Sequence, residues 1–209
     1  MILDFDELKY KFRQPLPGLQ SHLKMSPAHR AQELLEMQTN RHLARQSAVL
    51  ILLYPVKQKL KTVFIKRSEY EGVHSGQIAF PGGKKEDLDK TFVETALRET
   101  LEEIGVEASK IEIIGQLSDL FIPPSNFLVQ VFVGYCTEKP VYILDKKEVQ
   151  STIEVDMDEF YNEENIREKE FGSNSLGLKI KAPYFKVNKI EIWGATAMIV
   201  SELMDVLKK

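Results

Sequence analysis

The sequence predicts an α/β sandwich preceded by an N-terminal helical extension. Three features of its 209 residues indicate this class. An aliphatic and β-branched run at 47–54 is typical of a buried strand, other apolar segments have the length of strands, and one amphipathic helix pattern dominates the middle of the chain. Strands and helices mixed in this way suggest layers of helix packed on a sheet.

The individual elements follow from local patterns. The segment 60–66 suits a partner strand for 47–54, with a turn at 57–59 between them. A loop rich in glycine and polar residues covers 68–90, and the helix predicted at 91–104 ends in a left-handed cap at Gly105. The remaining predicted elements are strands at 111–117 and 128–136 separated by a turn at 123–126, an acidic solvated helix or loop at 154–171, a strand end at 190–193 and a closing amphipathic helix at 195–207.

Two parts of the chain are predicted to differ in organisation. Residues 1–44 form the extension, which proline and glycine break into helical and polar pieces, and residues 45–209 form the main domain. Phe5, Leu8 and Phe12 share one helical face, so we expect the extension to pack on the domain.

Composition excludes several classes of partner. The net charge of -3 argues against generic nucleic-acid binding, which needs a basic surface. The longest apolar run, 48–54, is too short to span a membrane. The single cysteine, Cys136, lies in an apolar run and suits a buried thiol in a cytoplasmic protein. The histidines His22, His29 and His42 lack partners at metal-ligand spacing and are predicted to lie on the surface.

The central helix combines an acidic face with an apolar one. Arg98, Glu99, Glu102 and Glu103 fall within an arc of about 140° at the helical repeat of 100° per residue. The opposite face, predicted to meet the core, carries Val93, Leu97, Thr100, Leu101 and Ile104. Like charges within one turn repel by roughly 0.2–0.5 kcal/mol per close pair, and a divalent cation would reverse that effect.

This arrangement suits phosphorus chemistry. Carboxylate and carbonyl oxygens are ligands for Mg²⁺ or Mn²⁺, and Gly82-Gly83 allows a backbone carbonyl to approach such an ion. A carboxylate can act as a general base, and Arg98 can orient the acids. The alternative is a solvated helix with Glu94–Arg98 and Arg98–Glu102 pairs. The glycine loop, the terminal Gly105 and the apolar opposite face favour the metal-site interpretation.

The string from the glycine loop to the end of the helix resembles the Nudix box. The matching residues are Gly83, Arg98, Glu99, Glu102, Glu103, Gly105 and Val106. Thr100 stands where an aliphatic residue is usual. The interval from Gly83 to Arg98 is one residue longer than the general spacing, and Lys90 stands at the position of an earlier Glu.

The longer loop is similar to that of the coenzyme A diphosphatase subfamily. The matches to that subfamily are Arg67-Ser68, His74, Gly76-Gln77, Phe80-Pro81-Gly82-Gly83, Glu86, Asp89, Thr95-Ala96-Leu97-Arg98-Glu99, Glu148-Val149 and Ile192-Trp193-Gly194-Ala195-Thr196-Ala197. Gly72 replaces a subfamily Arg. The resemblance covers about residues 45–207 and implies a Nudix-type α/β/α sandwich with a mixed sheet.

The resemblance also implies residue roles. Gly83, Glu99, Glu102 and Glu103 would bind Mg²⁺ or Mn²⁺, and Glu148 is our candidate for a further metal ligand, against the alternative of a surface carboxylate. The catalytic set would be Glu99, Glu102, Glu103 and Arg98. Arg67, Ser68 and Gly82 would bind the substrate, although Arg67 also suits an exposed charge at a strand end. His74 is interpreted as a structural loop residue and Trp193 as a core residue.

The implied activity is hydrolysis of a diphosphate bond in coenzyme A or its derivatives, giving 4'-phosphopantetheine and adenosine 3',5'-bisphosphate. Gly72 motivates an alternative in which NADH or ADP-ribose is the substrate. A non-catalytic nucleotide-sensing module is a further alternative, which the three retained helix acids disfavour. We expect a small-molecule diphosphate partner, with no nucleic acid or membrane partner, and homodimer formation stays open.

Overall fold

The computed structural model describes residues 5–27, 43–68, 76–173 and 179–208. Within these ranges the α-helices are α1 (Phe5–Phe12), α2 (Leu19–Lys24), α3 (Phe92–Ile104) and α4 (Gly194–Lys208). The strands are β1 (Arg45–Val56), β2 (Lys59–Arg67), β3 (Ile78–Ala79), β4 (Gly82–Lys84), β5 (Glu112–Gln116), β6 (Leu120–Ile122), β7 (Phe127–Tyr135), β8 (Val149–Asp156), β9 (Ile166–Ser173), β10 (Lys179–Val187) and β11 (Ile190–Trp193).

The larger sheet is mixed. Its central path runs β3-β2-β1-β7-β5, and β4, β6 and β8 pair with β1, β7 and β2 respectively. Strand β1 runs parallel to β7, with Ala48 opposite Gln130, whereas the other pairs in this sheet are antiparallel. The predicted α/β class with a mixed sheet is confirmed.

Both faces of β1 are covered, which explains its continuous apolar sequence. Leu50 and Leu52 belong to a core cluster that includes residues of α3, whereas Ile51 and Leu53 belong to a second cluster with residues of α1 and α4. All four of these side chains are fully buried. Side chains alternate along a strand, so a strand enclosed by two layers needs apolar residues at successive positions.

Helix α3 has strong local signals at both ends. Thr91 accepts a hydrogen bond from the Glu94 N–H at 3.1 Å, and the Glu94 side chain accepts from the Thr91 N–H, which completes a capping box. At the other end Gly105 adopts the left-handed conformation with φ 72°, and its N–H donates to Leu101. The predicted helix and its glycine cap are confirmed.

The rotation of α3 differs from the prediction. Leu101, assigned to the core face, is 47% exposed, whereas Glu103 on the acidic face is only 1% exposed. The periodicity of an isolated helix could not reveal this, because the groups that bind the Glu103 carboxylate come from β2 and β4. Leu97 and Val93 are half-buried, and Thr100 and Ile104 are buried as predicted.

The prediction of a solvated helix or loop at 154–171 is wrong. This stretch contains the end of β8, two short 3₁₀ turns and most of β9, which belongs to a second sheet with the order β11-β10-β9. Acidic residues on β9 form ion pairs with lysines of β10, at 2.9 Å for Lys179–Glu170 and 2.6 Å for Lys181–Glu168. These charges are paired across strands, and such pairing is not visible in the local sequence.

The N-terminal helices pack against α4 and β5. Leu8 is fully buried and Phe12 is nearly so. His22 is 3% exposed, and its Nε2 lies 2.8 Å from Glu202 of α4, so its predicted surface location is wrong. His29 and His42 lie outside the described residues, and the division at residue 44 stays a prediction. In the described part of the chain, no helix is long and apolar enough to cross a membrane.

Candidate active site

Gly82 and Gly83, the glycines of the predicted loop, lie in strand β4 and are fixed to the middle of the larger sheet. Gly82 lies opposite Val49, Gly83 lies opposite Ala48, and the Leu50 N–H donates to the Pro81 carbonyl at 2.9 Å. A Cβ added to Gly82, which has φ 151°, would lie 2.6 Å from the Val49 Cα. A side chain cannot be accommodated there, so glycine is needed for the loop to lie against β1.

Gly83 brings the backbone against Glu99 of α3. A Cβ added to Gly83 would lie 2.5 Å from both Cδ and Oε2 of Glu99 and 2.6 Å from its Oε1. The carboxylate therefore occupies the space that a side chain at position 83 would need. Glycine at position 83 therefore allows the peptide backbone to lie directly against the Glu99 carboxylate.

Glu103 lies at the centre of the site and is almost fully buried. Its Oε2 accepts a hydrogen bond from the Gly82 N–H at 2.8 Å, and its Oε1 lies 3.3 Å from Nη1 of Arg67. Burial raises the pKa of Glu103 to about 8, although the Gly82 N–H and Arg67 act in the opposite direction. The negative charges of Glu99 and Glu148 raise this pKa further.

Glu99 and Glu102 share the guanidinium of Arg98. Nη1 of Arg98 lies 3.0 Å from Oε1 of Glu99 and 2.8 Å from Oε2 of Glu102. Glu102 is exposed, whereas Glu99 is half-buried, and burial raises the pKa of Glu99. The three predicted acids thus have different environments, from the buried Glu103 to the solvated Glu102.

Arg98 is itself held by Asp89 of the loop. Nε and Nη2 of Arg98 each donate to a different oxygen of Asp89 at 3.0 Å, and Nη2 also donates to the Lys84 carbonyl at 3.1 Å. Asp89 is buried and also accepts from the Thr95 hydroxyl. Hydrogen bonds from Arg98 hold the pKa of Asp89 well below its usual range, although burial opposes them.

Asp89 is one of the matches to the subfamily loop, but the sequence did not predict its role in the site. The available signal was the loop itself, which is one residue longer than the general spacing and has Lys90 where an acid is usual. Asp89, one position earlier, supplies the buried carboxylate that fixes Arg98 to the loop.

Arg67, Ser68 and Glu148 lie together where β2 ends. The Ser68 N–H donates to the Glu148 carbonyl at 2.8 Å, and Arg67 pairs with Val149 in the sheet. The Glu148 side chain is exposed, and its charge contributes to the raised pKa of both Glu99 and Glu103. These predicted residues therefore border the acidic face of α3. Gly72 and His74 lie outside the described residues.

Trp193, predicted to lie in the core, is only partly buried. Its indole ring stacks on Phe171 of β9, with ring centroids 4.3 Å apart and planes 10° apart. The contact joins the two outer strands of the second sheet, which the sequence did not predict as a sheet.

The donor groups fit a hard divalent cation. Glu99 and Glu103 offer carboxylate oxygens beside the Gly83 backbone, and burial, together with the charges of Glu99 and Glu148, raises the pKa of Glu103. In the conformation of the described residues, no three His, Cys, Asp or Glu side chains converge closely enough to hold a metal. Two guanidinium groups, from Arg67 and Arg98, contact the carboxylates instead.

The mixed sheet has helices on both faces, and its glycine-containing strand β4 lies against the acidic helix α3, which defines an α/β/α sandwich with a cluster of carboxylates. The NUDIX domain family matches residues 44–173. The chain therefore belongs to the Nudix hydrolase family, whose members hydrolyse pyrophosphate bonds in nucleoside diphosphate derivatives and generally use divalent metal ions.

Individual relatives agree with this assignment. The chain is 30% identical over 138 residues to the uncharacterized Nudix hydrolase NudL of Yersinia enterocolitica, covering 66% of this chain and 69% of the relative. It is 29% identical over 174 residues to Nudix hydrolase 3 of Caenorhabditis elegans, covering 77% of this chain and 72% of the relative.

Solved structures show the same fold at lower sequence identity. A Nudix hydrolase from M. smegmatis has a TM-score of 0.56 and 14% identity, covering 79% of this chain and 86% of the other. A MutT/nudix family protein from Enterococcus faecalis has a TM-score of 0.52 and 16% identity, covering 100% of this chain and 76% of the other. These likenesses concern the fold alone.

Proposed function

We propose that the enzyme cleaves the diphosphate of coenzyme A or its derivatives, giving 4'-phosphopantetheine and adenosine 3',5'-bisphosphate, with Mg²⁺ or Mn²⁺. The observation that carries the hydrolytic part is the buried Glu103, held by the Gly82 N–H, next to a Glu99 carboxylate that lies against Gly83. The coenzyme A label is supported by the subfamily matches at Arg67-Ser68 and from Phe80 to Gly83.

The metal ligands in this proposal are Glu99, Glu103 and the Gly83 carbonyl, with Glu102 and Glu148 completing the set. When bound, the cation would neutralise charge on the diphosphate oxygens and lower the pKa of an attacking water. The Gly82 N–H orients Glu103 through one of its two oxygens. Because that N–H already has an acceptor and Gly82 is buried, we assign Gly82 to positioning Glu103 rather than to direct contact with phosphate.

Arg98 and Asp89 act as positioning residues. The guanidinium contacts Glu99 and Glu102 on one side and is held by Asp89 and the Lys84 carbonyl on the other. This network fixes the side chains of α3 relative to the glycine loop. One of the α3 carboxylates accepts the proton of the attacking water. The contacts from Arg98 and the Gly82 N–H keep these carboxylates oriented toward the glycine loop.

Arg67 and Ser68 are the proposed contacts to substrate phosphate. Their backbone is fixed by hydrogen bonds from the Arg67 N–H to Gln77 at 3.1 Å and from the Ser68 N–H to Glu148. The Arg67 side chain is 26% exposed, so its guanidinium borders both solvent and the buried Glu103. A guanidinium can bind two phosphate oxygens at once, which suits a diphosphate.

The substitution of a subfamily Arg by Gly72 favours a second candidate, in which the same chemistry acts on NADH or ADP-ribose. A product profile separates the candidates. Purified protein is incubated with coenzyme A, NADH or ADP-ribose, with and without Mg²⁺, and the products are separated by chromatography. We expect 4'-phosphopantetheine and adenosine 3',5'-bisphosphate from coenzyme A in the presence of metal.

Two variants locate the activity. Glu103→Gln removes the central carboxylate, whereas Glu107→Gln removes the same charge from an exposed residue just beyond α3. Loss of hydrolysis in the first variant alone supports the site. Clear preference for NADH or ADP-ribose would remove the coenzyme A label, and full activity of Glu103→Gln would overturn the site itself.

A further inference from the structure

We propose that Arg67 is an internal counter-cation of Glu103, which a divalent metal ion displaces, so that metal binding delivers the Arg67 guanidinium to the substrate diphosphate. The inference rests on the proposed function and adds to it a coupling between the metal and substrate positions. The Arg67 guanidinium first contacts the buried Glu103 carboxylate and, after metal binding, contacts the substrate diphosphate.

The two oxygens of Glu103 have different partners. Oε2 accepts from the Gly82 N–H at 2.8 Å, which is a backbone contact within a loop paired to β1. Oε1 has the Arg67 guanidinium as its partner, at a longer distance of 3.3 Å. A cation that binds Glu103 on the side away from the glycine loop meets Oε1, where it competes with the Arg67 guanidinium for that oxygen.

The Arg67 side chain is weakly held. Within the described part of the structure, its Nε is buried without a hydrogen-bond partner, and its guanidinium contacts Glu103 through Nη1 alone. Its backbone is fixed by β2 pairing with β8 and by the contact to Gln77. The guanidinium can therefore move away from Glu103 while the strand stays in place, and an unpartnered buried donor favours such a move.

Arg98 provides the contrast within the same site. Its guanidinium has three contacts besides the helix acids, two to Asp89 and one to the Lys84 carbonyl, each at 3.0–3.1 Å. Displacing Arg98 would leave the buried Asp89 without its positively charged partner, at a high cost in free energy. Of the two guanidinium groups, Arg67 is the one that a metal can replace.

The exchange makes the metal and the diphosphate bind cooperatively. With metal at Oε1, Arg67 no longer neutralises Glu103 and its charge is available to phosphate oxygens at the same end of β2. By thermodynamic linkage, a ligand that engages Arg67 also strengthens metal binding. The divalent ion brings one more positive charge than the guanidinium it replaces, so Glu103 stays compensated after Arg67 has moved.

The test is a direct titration with Mn²⁺, followed by the electron paramagnetic resonance signal of the unbound ion, at about pH 8.5, where protons compete least for carboxylates. Arg67→Met removes the competing cation and leaves a side chain of similar length. Lys66→Met is the matched control, because Arg67 follows Val63 and Ile65 on the α3 face of β2, whereas Lys66 follows Phe64 on the other face. Thermal denaturation checks that each variant folds, and Arg67→Gln replaces Arg67→Met if that variant does not.

We expect Arg67→Met to bind Mn²⁺ about fivefold more tightly or better, since a nearby positive charge has been removed. Lys66→Met should bind Mn²⁺ like the parent, and Arg67→Lys, which keeps the charge, should stay closer to the parent than Arg67→Met does. Unchanged or weaker binding by Arg67→Met, with normal binding by the parent, would overturn this inference alone. Failure of the parent to bind Mn²⁺ would overturn the metal-dependent function and this inference with it.

Discussion

Two buried glutamates on different helices have pKa values shifted in opposite directions. Glu103 of α3 is 1% exposed and Glu202 of α4 is 0% exposed. Burial raises the pKa of Glu103 to about 8. Burial also acts to raise the pKa of Glu202, but hydrogen bonds from His22 and Ser118 outweigh it and lower that pKa below its ordinary value.

The difference lies in how completely each carboxylate is satisfied. Glu202 accepts from the Gly18 N–H at 3.1 Å, lies 2.8 Å from His22 Nε2 and accepts from the Ser118 N–H at 3.3 Å. Glu103 has one short hydrogen bond, from Gly82, and one longer contact to Arg67. A satisfied buried acid holds elements together, whereas one with a raised pKa can accept a further cation, which is typical of functional sites.

The rate of diphosphate hydrolysis should distinguish Glu103 from Glu202 more strongly than any other measurement. Glu103→Gln should lower diphosphate hydrolysis on the order of a hundredfold or more, because it removes a proposed metal ligand. Its thermal stability without metal should stay equal or rise, since a neutral amide is easier to bury than a carboxylate. Steady-state kinetics and a melting curve measure both quantities, and near-parental turnover would contradict the distinction.

Glu202→Ala should have the reverse phenotype. Removing the carboxylate leaves the buried His22 and the half-buried N–H groups of Gly18 and Ser118 without their acceptor, and we expect a loss of about 2–4 kcal/mol in the free energy of unfolding. Turnover per folded molecule should change little. Urea denaturation gives the stability, and His22→Gln serves as a companion variant that should reproduce part of the loss.

A smaller effect is expected from the residue that links the loop to α3. Asp89→Asn weakens the paired hydrogen bonds to Arg98, so we expect turnover to fall by about tenfold, as for other groups that orient ligands. Asp87→Asn is the control, because Asp87 is exposed in the same loop. Equal activity of the two variants would show that the Asp89–Arg98 contact does not position the acids.

The smallest effect is a difference in the pH dependence of stability, measured by urea denaturation with a chelator present. Glu103 has a raised folded-state pKa of about 8 against an ordinary value of 4.5, so its contribution is present at low pH and is lost as the pH rises toward about 8. Glu202 has a lowered pKa, so its contribution is present above its unfolded value and is lost as the pH falls.

Two isosteric variants resolve these opposite trends. Glu103→Gln should flatten the decline in stability as the pH rises from about 4.5 to about 8, and Glu202→Gln should reduce the loss of stability at acid pH. A Glu103→Gln variant whose stability falls with rising pH as the parent's does would show that Glu103 is not the group responsible.

The sequence predicted the features that depend on neighbouring residues and missed those that depend on distant ones. Helix α3, its Thr91 cap and its Gly105 end depend on neighbours within a few residues, and the predicted helix agrees with the structure. The contact of His22 with Glu202 joins residues 180 positions apart, and neither residue carries a local sign of it. The second sheet was missed for a related reason, since the acidic residues of β9 are paired with lysines of β10, which the local sequence of β9 does not show.

The sequence placed three acids on one face of α3 but did not predict how deeply each of them is buried. Helical periodicity placed Glu99, Glu102 and Glu103 on one face, but Glu103 is buried because Gly82 and Arg67 reach it from other elements. The Asp89–Arg98 contact likewise depends on how the long loop folds back onto α3. Long-range partners, which local patterns do not encode, decide the environment of each carboxylate.

The buried carboxylate of Glu103 should bind a divalent cation, and that of Glu202 should not. This difference can be measured by titrating the parent, Glu103→Gln and Glu202→Gln with Mn²⁺. Glu103→Gln should weaken Mn²⁺ binding by about tenfold to a hundredfold, and Glu202→Gln should leave it unchanged. Equal Mn²⁺ affinity of the parent and Glu103→Gln would contradict the account.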